Sequence, residues 1–311
     1  MKVSVCIPTY KYGRYIAETI ESILCQTFTD FELLIIDDNS PDDTADIVAR
    51  YAQRDTRIRF SINPENLGMV KNWNFCLSQA RGDYIKFVFG DDLLASPGAL
   101  ERMVSLLDSD QSISLVASAR NLIDEHSELL SVSSGFQRDC TLTGTDIINH
   151  CLIRQRNLIG EPTVTMFRRN QAQRGFNEKY RQIVDLEMWF HLLEQGKFSY
   201  ISDRLCSFRI HTKQQTAHNN ENLNDIDDVP YLLDDYAGKT YITLAWFMKA
   251  YLRYDHLHGI WKRSRSDESR RHEVRKLISA QFGQSAFWGW YPIYKVFKPC
   301  LKLYKMLLQP L

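Results

Sequence analysis

Short apolar runs and amphipathic segments alternate along the first hundred residues. Four runs rich in apolar, aromatic and β-branched side chains are typical of buried strands, and they cover 3–10, 31–36, 58–62 and 84–89. Between them, apolar residues recur at helical spacing, which predicts helices over 14–25, 41–54 and 69–80. This β-α-β-α-β-α-β order predicts an α/β fold, with a mainly parallel sheet flanked by helices.

Two helix starts are marked by the residues that precede them. Ser40 is a good N-cap and Pro41 fits the first helical position, and Ser96 with Pro97 repeats the pattern. We therefore expect helices to begin at these two pairs.

The remainder of the chain is less regular. Segments 113–119 and 162–169 are predicted strands, 124–142 a polar loop, 143–154 a helix and 184–193 an amphipathic helix, followed by short strands at 198–201 and 205–210. Towards the C-terminus the sequence predicts an acidic linker over 219–228, a helical segment over 231–256, a charged helix face over 262–276 and a basic, aromatic-rich amphipathic segment over 285–308.

Polar and acidic residues follow three of the predicted strands. Pro8, Thr9 and Tyr10 form the carboxyl end of the first strand, Asp37-Asp38 follow the second, and Asp91-Asp92 lie just beyond the fourth. In parallel sheets ligands bind at the carboxyl ends of the strands, so the three groups are expected to share one site. Two adjacent acids are typical either of a solvated turn or of a site for Mg²⁺ or Mn²⁺. The groups at the ends of the other two strands favour the metal site.

Composition and short motifs narrow the class of protein. The 311 residues carry 38 basic and 38 acidic side chains, so no global field favours nucleic acid as a partner. Seven cysteines without a C-x-x-C pair indicate reduced thiols and a cytoplasmic protein. The N-terminus does not have the features of a signal peptide, and no apolar run is long enough to span a bilayer. The sequence also lacks G-x-G-x-x-G and the P-loop motif, which disfavours dinucleotide-binding and P-loop enzymes.

Taken in order, these segments resemble a family 2 glycosyltransferase with the GT-A nucleotide-sugar-binding fold. The resemblance covers roughly residues 2–216. It rests on an ordered set of motifs: VSVCIPTY at 3–10, QTF at 26–28, FELLIIDDNS at 31–40, NLG at 66–68, RGDYI at 81–85, Asp91-Asp92, and the helix that opens at Asp185.

The resemblance implies a role for each candidate site residue. Residues around the nucleotide base would be Pro8, Thr9, Tyr10 and Asp38, with Lys71 at the nucleotide or diphosphate and Asp91 at the ribose. Asp92 would bind Mn²⁺ or Mg²⁺, His211 would complete the metal shell, and Asp185 would be the general base. Without the resemblance, Asp185 would be interpreted as a helix cap and His211 as a structural histidine.

Three positions depart from the family pattern. Gly90 stands where many relatives carry a third acid, Val184 replaces a common glutamate beside Asp185, and Lys71 stands where many have arginine. Lysine lacks the bidentate fork of arginine and leaves a point charge at that place.

The function that the resemblance implies is metal-dependent transfer of a sugar from a nucleotide-sugar, foremost a UDP-sugar, to an acceptor hydroxyl with inversion. The acceptor would be a glycan or a lipid-linked sugar in surface polysaccharide or glycolipid synthesis. Two alternatives stay open: a sugar-phosphate nucleotidylyltransferase, and a non-catalytic nucleotide-sugar-binding protein.

The predicted organisation is a catalytic domain over 1–216 and a helical C-terminal region over 217–311. Segment 285–308 carries lysines at helical spacing among aromatic side chains, which is typical of a helix on an anionic membrane surface. The alternative is a terminal helix that packs on its own domain or on a second copy in a homodimer. The expected location is the cytoplasm, either free or peripheral on the inner face of the membrane.

Overall fold

The computed structural model describes residues 1–211, 228–243, 246–264 and 268–307, with side chains described outside 246 and 301–307. Within the described part, contacts between Cα atoms divide the chain into two compact units. The first unit comprises 1–147 and 157–211, and the second comprises 148–156 and the described residues from 228 onward. The predicted boundary at 216 and most of the predicted linker, 219–227, lie outside the described residues.

The first hundred residues form the predicted alternation of strands and helices. The strands are β1 (Val3–Thr9), β2 (Phe31–Asp37), β3 (Ile58–Ile62) and β4 (Tyr84–Phe87), and the helices are α1 (Ile16–Leu24), α2 (Thr44–Ala52) and α3 (Met69–Gln79). The strands are hydrogen-bonded in the order β3-β2-β1-β4, and all three pairings are parallel. Every residue of β1, β2 and β4 is buried, as expected for strands covered on both faces.

The sheet continues beyond β4 with mixed strand directions. The further elements are β5 (Leu93–Leu94), α4 (Ala99–Ser109), β6 (Ile113–Ile123), β7 (Leu129–Ser133), β8 (Cys140–Thr143), α5 (Gly144–Arg154), β9 (Thr165–Arg168), α6 (Val184–Leu193) and β10 (Lys197–Arg209). The full order is β3-β2-β1-β4-β9-β6-β10-β5, with β7 paired to β6 and β8 to β10. Antiparallel pairs begin where β9 joins β4. The α/β class with a sheet flanked by helices is confirmed.

The amphipathic helices pack on this sheet through one apolar face. In α1 the buried face consists of Ile16, Ile20 and Ile23, which are spaced three and four residues apart. Helix α6 differs, because apolar side chains are buried on nearly all sides. Its one buried acid, Glu187, pairs with Arg174 at 2.7 Å between a guanidinium nitrogen and a carboxylate oxygen.

Several local predictions were wrong. Helix α2 begins at Thr44 after Asp43, because the Ser40 hydroxyl accepts from the Lys11 backbone N–H at 2.9 Å and donates to the Asp37 carboxylate at 2.6 Å instead of accepting from a helix N–H. Helix α4 begins at Ala99 after Gly98, so Ser96 and Pro97 lie in the preceding turn.

Other wrong predictions concern strands. The predicted loop over 124–142 contains β7 and most of β8, which pair with β6 and β10. Because the residues of these two strands are exposed or half-buried, they lack a strong apolar pattern. The two short strands predicted over 198–210 are the single strand β10, which is interrupted by irregular pairing near residues 201–206. The segment predicted as a strand from 162 begins with a 3₁₀ turn, Pro162–Val164.

The second unit is helical where it is described. Its helices are α7 (Asp228–Tyr236), α8 (Trp246–Arg263), α9 (Glu268–Gln281) and α10 (Gln284–Leu307). The helix predicted over 231–256 is thus two helices, separated by a turn after Tyr236. None of the helices in the described ranges is long and apolar enough to cross a bilayer.

Candidate active site

The end of β1 lies beside the end of β2, as the parallel register requires. Thr9 pairs with Asp37, and the Asp38 backbone N–H donates to the Thr9 carbonyl at 2.8 Å. Pro8 and Thr9 are buried, whereas Tyr10 is 40% exposed with the Lys11 ammonium 4.8 Å from its ring centroid. The Thr9 hydroxyl is buried and has no hydrogen-bond partner among the described residues. A buried hydroxyl without a partner is costly, so this atom is suited to a bound ligand.

Asp38 organises the loop that follows β3. One carboxylate oxygen accepts from the Asn63 side-chain amide at 2.8 Å and from the Leu67 N–H at 2.8 Å, and the other accepts from the Gly68 N–H at 2.9 Å. Gly68 has a φ of +83°, a conformation that suits glycine, and it directly precedes α3. Lys71 is exposed on the first turn of α3. Asp38 thus fixes the loop that leads into α3, the helix on which Lys71 lies.

Asp91 and Asp92 lie in a turn between β4 and β5, and both are buried. One Asp91 oxygen is 2.9 Å from the His211 Nε2 atom. The two Asp92 oxygens accept from the Thr163 hydroxyl at 2.5 Å and from the Arg209 backbone N–H at 2.9 Å. Burial first, and then the charge of Asp91, raise the pKa of the Asp92 carboxyl well above its usual range.

Arg209, at the end of β10, supports the turn that holds the two acids. Its side chain is fully buried, and its Nε donates to the Asp91 carbonyl at 2.7 Å. A terminal nitrogen donates to the Glu18 carboxylate at 2.7 Å, and the guanidinium lies 4.7 Å from the Tyr15 ring centroid. This role was not predicted from the sequence, in which a lone arginine inside the apolar run before His211 was the available signal.

Asp185 lies in the first turn of α6 and is half-buried. One of its oxygens accepts from the Leu186 N–H at 2.8 Å, and the other is 3.4 Å from the Asn157 side-chain amide. Burial is the main cause that raises the pKa of Asp185 to about 7, and the charge of Glu161 adds to it. A carboxyl with this pKa exchanges protons readily near neutral pH.

Glu161 links the two acidic regions, and sequence analysis did not identify it. The charge of Glu161 raises the pKa of both Asp92 and Asp185, so its carboxylate acts on both groups. One of its oxygens accepts from Arg120 at 2.9 Å, and the other is buried without a partner among the described residues. A single acid before Pro162 carried no pattern that could have found it.

Tyr12 is a further site residue that sequence analysis missed. Burial and then the charges of Asp91 and Asp92 raise its pKa well above the usual value, so the ring lies near both acids. A side chain at Gly90 would approach within 2.8 Å of that ring. Gly90 therefore gives the aromatic side chain the room to approach the turn.

The sequence pattern described as Glycosyl transferase family 2 matches residues 4–176, more than half of the chain. The chain belongs to glycosyltransferase family 2. The predicted family and the predicted enzyme class, a glycosyltransferase, are thereby confirmed.

Relatives of this family 2 glycosyltransferase include proteins with and without a described activity. The chain is 34% identical over 220 residues to the uncharacterized protein MT1568 of Mycobacterium tuberculosis, a match that covers 68% of this chain and 67% of that protein. It is 31% identical over 220 residues to a chondroitin synthase of Escherichia coli, covering 69% of this chain but 30% of the relative's length. It is also 39% identical over 125 residues to the putative glycosyltransferase EpsE of Bacillus subtilis, covering 40% and 45% of the two chains.

Solved structures confirm the GT-A fold of this family 2 glycosyltransferase. S. aureus TarS 1-349 in complex with UDP-GlcNAc matches 90% of this chain and 82% of its own length, with a TM-score of 0.66 and 20% identity. The mannosyltransferase PcManGT from Pyrobaculum calidifontis in complex with GDP-Man and Mn²⁺ matches 98% and 83%, with a TM-score of 0.59 and 16% identity. At such identities the likeness concerns the fold.

Proposed function

We propose that this family 2 glycosyltransferase transfers a sugar from a nucleotide-sugar, foremost a UDP-sugar, to an acceptor hydroxyl in a metal-dependent reaction with inversion. The observation that carries the proposal is the half-buried Asp185 carboxyl, whose pKa is raised to about 7. The charge of Glu161 raises the pKa of both Asp185 and Asp92, so it couples the proposed proton acceptor to the acids proposed for the leaving group. Crystal structures of similar fold that contain UDP-GlcNAc or GDP-Man with Mn²⁺ support the choice of donor and metal.

The nucleotide half of the proposed site consists of Pro8, Thr9, Tyr10, Asp38, Lys71 and Asp91. The buried Thr9 hydroxyl offers an unused hydrogen bond, and the exposed Tyr10 ring offers a face for a base. Asp38 already accepts three hydrogen bonds from its own loop, so a base N–H would use the oxygen that holds only Gly68. Lys71 supplies a positive charge for the phosphates.

The donor atoms near Asp91 fit a divalent cation. The Asp91 oxygen and the His211 nitrogen are 2.9 Å apart, and carboxylate and imidazole are both metal ligands. No cluster of three His, Cys, Asp or Glu side chains with metal-site geometry occurs within the described ranges, so diphosphate oxygens would complete the shell. A bound Mn²⁺ or Mg²⁺ would stabilise the negative charge that develops on the leaving diphosphate.

The division of roles between the two acids remains a prediction. The family resemblance implies Asp91 at the ribose and Asp92 at the metal with His211. In the structure both Asp92 oxygens accept protein hydrogen bonds, whereas Asp91 contacts His211. The His211 contact favours Asp91 as an additional ligand. Asp91→Asn and Asp92→Asn, each titrated with Mn²⁺ in a nucleotide-binding assay, would separate the two assignments.

In the proposed reaction, Asp185 accepts the proton of the acceptor hydroxyl as that oxygen attacks the anomeric carbon. The bond to the nucleoside diphosphate breaks on the opposite side, and a single displacement of this kind inverts the configuration. General-base catalysis contributes about 10²–10⁴-fold in rate, and it is most effective when the pKa lies near the working pH. The Asp185 pKa of about 7 meets that condition.

The proposed acceptor is a glycan or a lipid-linked sugar in surface polysaccharide or glycolipid synthesis at the cytoplasmic side of a membrane. The relative named as a chondroitin synthase favours a glycan acceptor. A homodimer stays compatible with this proposal. Membership of the glycosyltransferase family favours transfer over the nucleotidylyltransferase alternative.

The test is a transfer assay with a panel of nucleotide-sugars, Mn²⁺ and a glycan acceptor. Asp185→Asn is expected to lower turnover by about 10²–10⁴-fold while nucleotide affinity stays within about twofold. Asp146→Asn is the matched control, since Asp146 is an exposed acid in the first turn of α5. Transfer by Asp185→Asn at the wild-type rate would refute the base assignment, and binding of nucleotide-sugar without transfer by the wild type would support the non-catalytic alternative.

A further inference from the structure

Helix α10 has an inner face that packs within the second unit. Phe287 and Tyr294 are buried, and Tyr294 stacks on Tyr251 with ring centroids 5.3 Å apart. The Tyr294 hydroxyl donates to Asp255 of α8 at 2.7 Å. These contacts fix the rotation of α10 about its own axis. They correspond to the alternative stated from the sequence, a terminal helix that packs on its own domain.

The opposite side of α10 exposes large apolar side chains. Ile293, Val296 and Phe297 are 44%, 70% and 49% exposed, respectively. Cys300, one turn beyond Val296, is exposed as well. These three large apolar side chains lie within five residues on the side away from Phe287 and Tyr294, and we call them the outer face of α10. Contiguous exposed apolar patches are typical of interaction surfaces.

The segment that carries the outer face has positive charges and no acids. Residues 274–311 contain no Asp or Glu. The Lys295 ammonium lies 4.9 Å from the Tyr291 ring centroid, and the Lys298 ammonium donates to the Tyr294 hydroxyl at 2.8 Å. Both lysines therefore lie on the flank of α10 that carries Tyr291 and Tyr294, away from the outer face. Apolar side chains on one side of a helix and lysines on the other match a helix that lies in the head-group region.

We propose that the outer face of α10 binds the surface of an anionic lipid bilayer. The apolar side chains would enter the boundary between head groups and acyl chains, while the positive charge of the exposed Lys295 and Lys298 attracts the anionic head groups. Pro292 and Pro299 lie inside the helix and remove backbone N–H donors, which leaves carbonyls without their usual helical partners. Water in the head-group region can hydrogen-bond those carbonyls, whereas the hydrocarbon interior cannot.

Charge favours a bilayer over a second copy of the chain. A symmetric contact through the outer face would pair two positively charged helices, and residues 274–311 offer no carboxylate to offset their repulsion. Anionic head groups would neutralise the same positive charges. The proposal goes beyond the proposed function and does not depend on it, since vesicle binding can be measured without any sugar donor.

The experiment is vesicle flotation of the full chain, with vesicles of phosphatidylcholine alone and of phosphatidylcholine mixed with phosphatidylglycerol. We expect the wild type to float with the mixed vesicles and to remain largely unbound with phosphatidylcholine alone. Val296→Glu, which places a charge at the centre of the outer face, is expected to abolish flotation. Ser269→Glu adds the same charge at an exposed position in the first turn of α9 and is expected to float like the wild type.

A second variant tests the charges separately. Lys295→Gln is expected to lower the affinity for mixed vesicles about fivefold, the effect of removing one lysine near an anionic surface. Circular dichroism of each variant checks that α10 still folds. Failure of the wild type to float, flotation independent of phosphatidylglycerol, or normal flotation of Val296→Glu would each overturn the proposal. A dimer that Val296→Glu dissociates, without vesicle binding by the wild type, would assign the outer face to a second copy.

Discussion

Asp38 and Asp185 are two carboxylates of the same unit, and the hydrogen bonds that they accept differ in number and length. Asp38 is 2% exposed and accepts three hydrogen bonds from a side-chain amide and two backbone N–H groups. Asp185 is half-buried and accepts one short hydrogen bond, from Leu186, and one long one, from Asn157. Burial of Asp185 is therefore poorly compensated, and its pKa rises to about 7.

The difference separates a carboxylate that maintains structure from one that is prepared for proton transfer. The three N–H donors around Asp38 tie the loop that contains Leu67 and Gly68 to the end of β2. Around Asp185 the ionised and protonated forms differ little in free energy near neutral pH. The same residue type can thus hold a loop or accept a proton, depending on the number of N–H groups directed at it.

The largest expected effect concerns the pH dependence of transfer. Asp185 must be ionised to accept a proton, so kcat/KM, which reports ionisation of the free enzyme, is expected to fall tenfold for each pH unit below the pKa of about 7. Between pH 8 and pH 5 the loss would be about a hundredfold. A pH–rate profile measures it, with nucleotide affinity followed over the same range as the control. A flat profile would contradict the distinction between the two acids.

Asp38→Asn is expected to destabilise the protein by about 1–3 kcal/mol, because an amide has one acceptor oxygen and turns its NH₂ group towards N–H donors. Thermal or urea unfolding at pH 7 measures the change. The control is Asp46→Asn, an exposed acid in the first turn of α2, which is expected to stay within about 0.5 kcal/mol of the wild type. Equal stability of Asp38→Asn and wild type would mean that the three hydrogen bonds contribute little.

Asp185→Asn is expected to have the opposite sign. The pKa of Asp185 is raised from 3.8 to about 7 in the folded protein, so between these pH values the folded state holds a proton that the unfolded state has released. Wild-type stability therefore falls as pH rises through this window, and the neutral amide avoids the loss. After allowance for partial exposure, we expect Asp185→Asn to be about 1–2 kcal/mol more stable at pH 8. Unfolding at pH 8 and pH 4 tests it, since the gain should vanish at pH 4.

The smallest expected effect concerns Glu161. Its charge raises the pKa of Asp185, so Glu161→Gln is expected to move the acidic limb of the pH–rate profile to lower pH. Rates at pH 8 should change less than those at pH 6. Glu178→Gln, an exposed acid in the same unit, is the control and should leave the limb in place. An unshifted limb for Glu161→Gln would show that Glu161 does not influence the base.

The sequence predicted the first half of the sheet well because its strands are buried on both faces. Such strands are continuous apolar runs, and the acids that follow them mark where the runs end. Thr9, Asp38 and Asp91 could therefore be assigned to one edge of the sheet. Strands β7 and β8 were missed because exposed and half-buried strands lack the apolar contrast on which the prediction relies.

The caps and supporting residues were harder to predict, for two physical reasons. Ser40 has the side chain of an N-cap, but its hydroxyl oxygen accepts from the backbone N–H of Lys11, which lies 29 positions earlier in the sequence. Arg209 and Glu161 act through partners far away in sequence, and no local spacing encodes such contacts. A buried arginine becomes informative only when its acceptors are known.

The contacts of Arg209 also have a consequence for how the chain folds. Its backbone N–H reaches an acid 117 positions earlier, and its guanidinium reaches Glu18, 191 positions earlier. Contacts of such long sequence separation form late, because the intervening chain must first lose entropy. During synthesis the turn that carries Asp91 and Asp92 would therefore stay incomplete until β10 has left the ribosome. A nascent chain that stops before β10 can build the parallel strands but not the finished acidic turn.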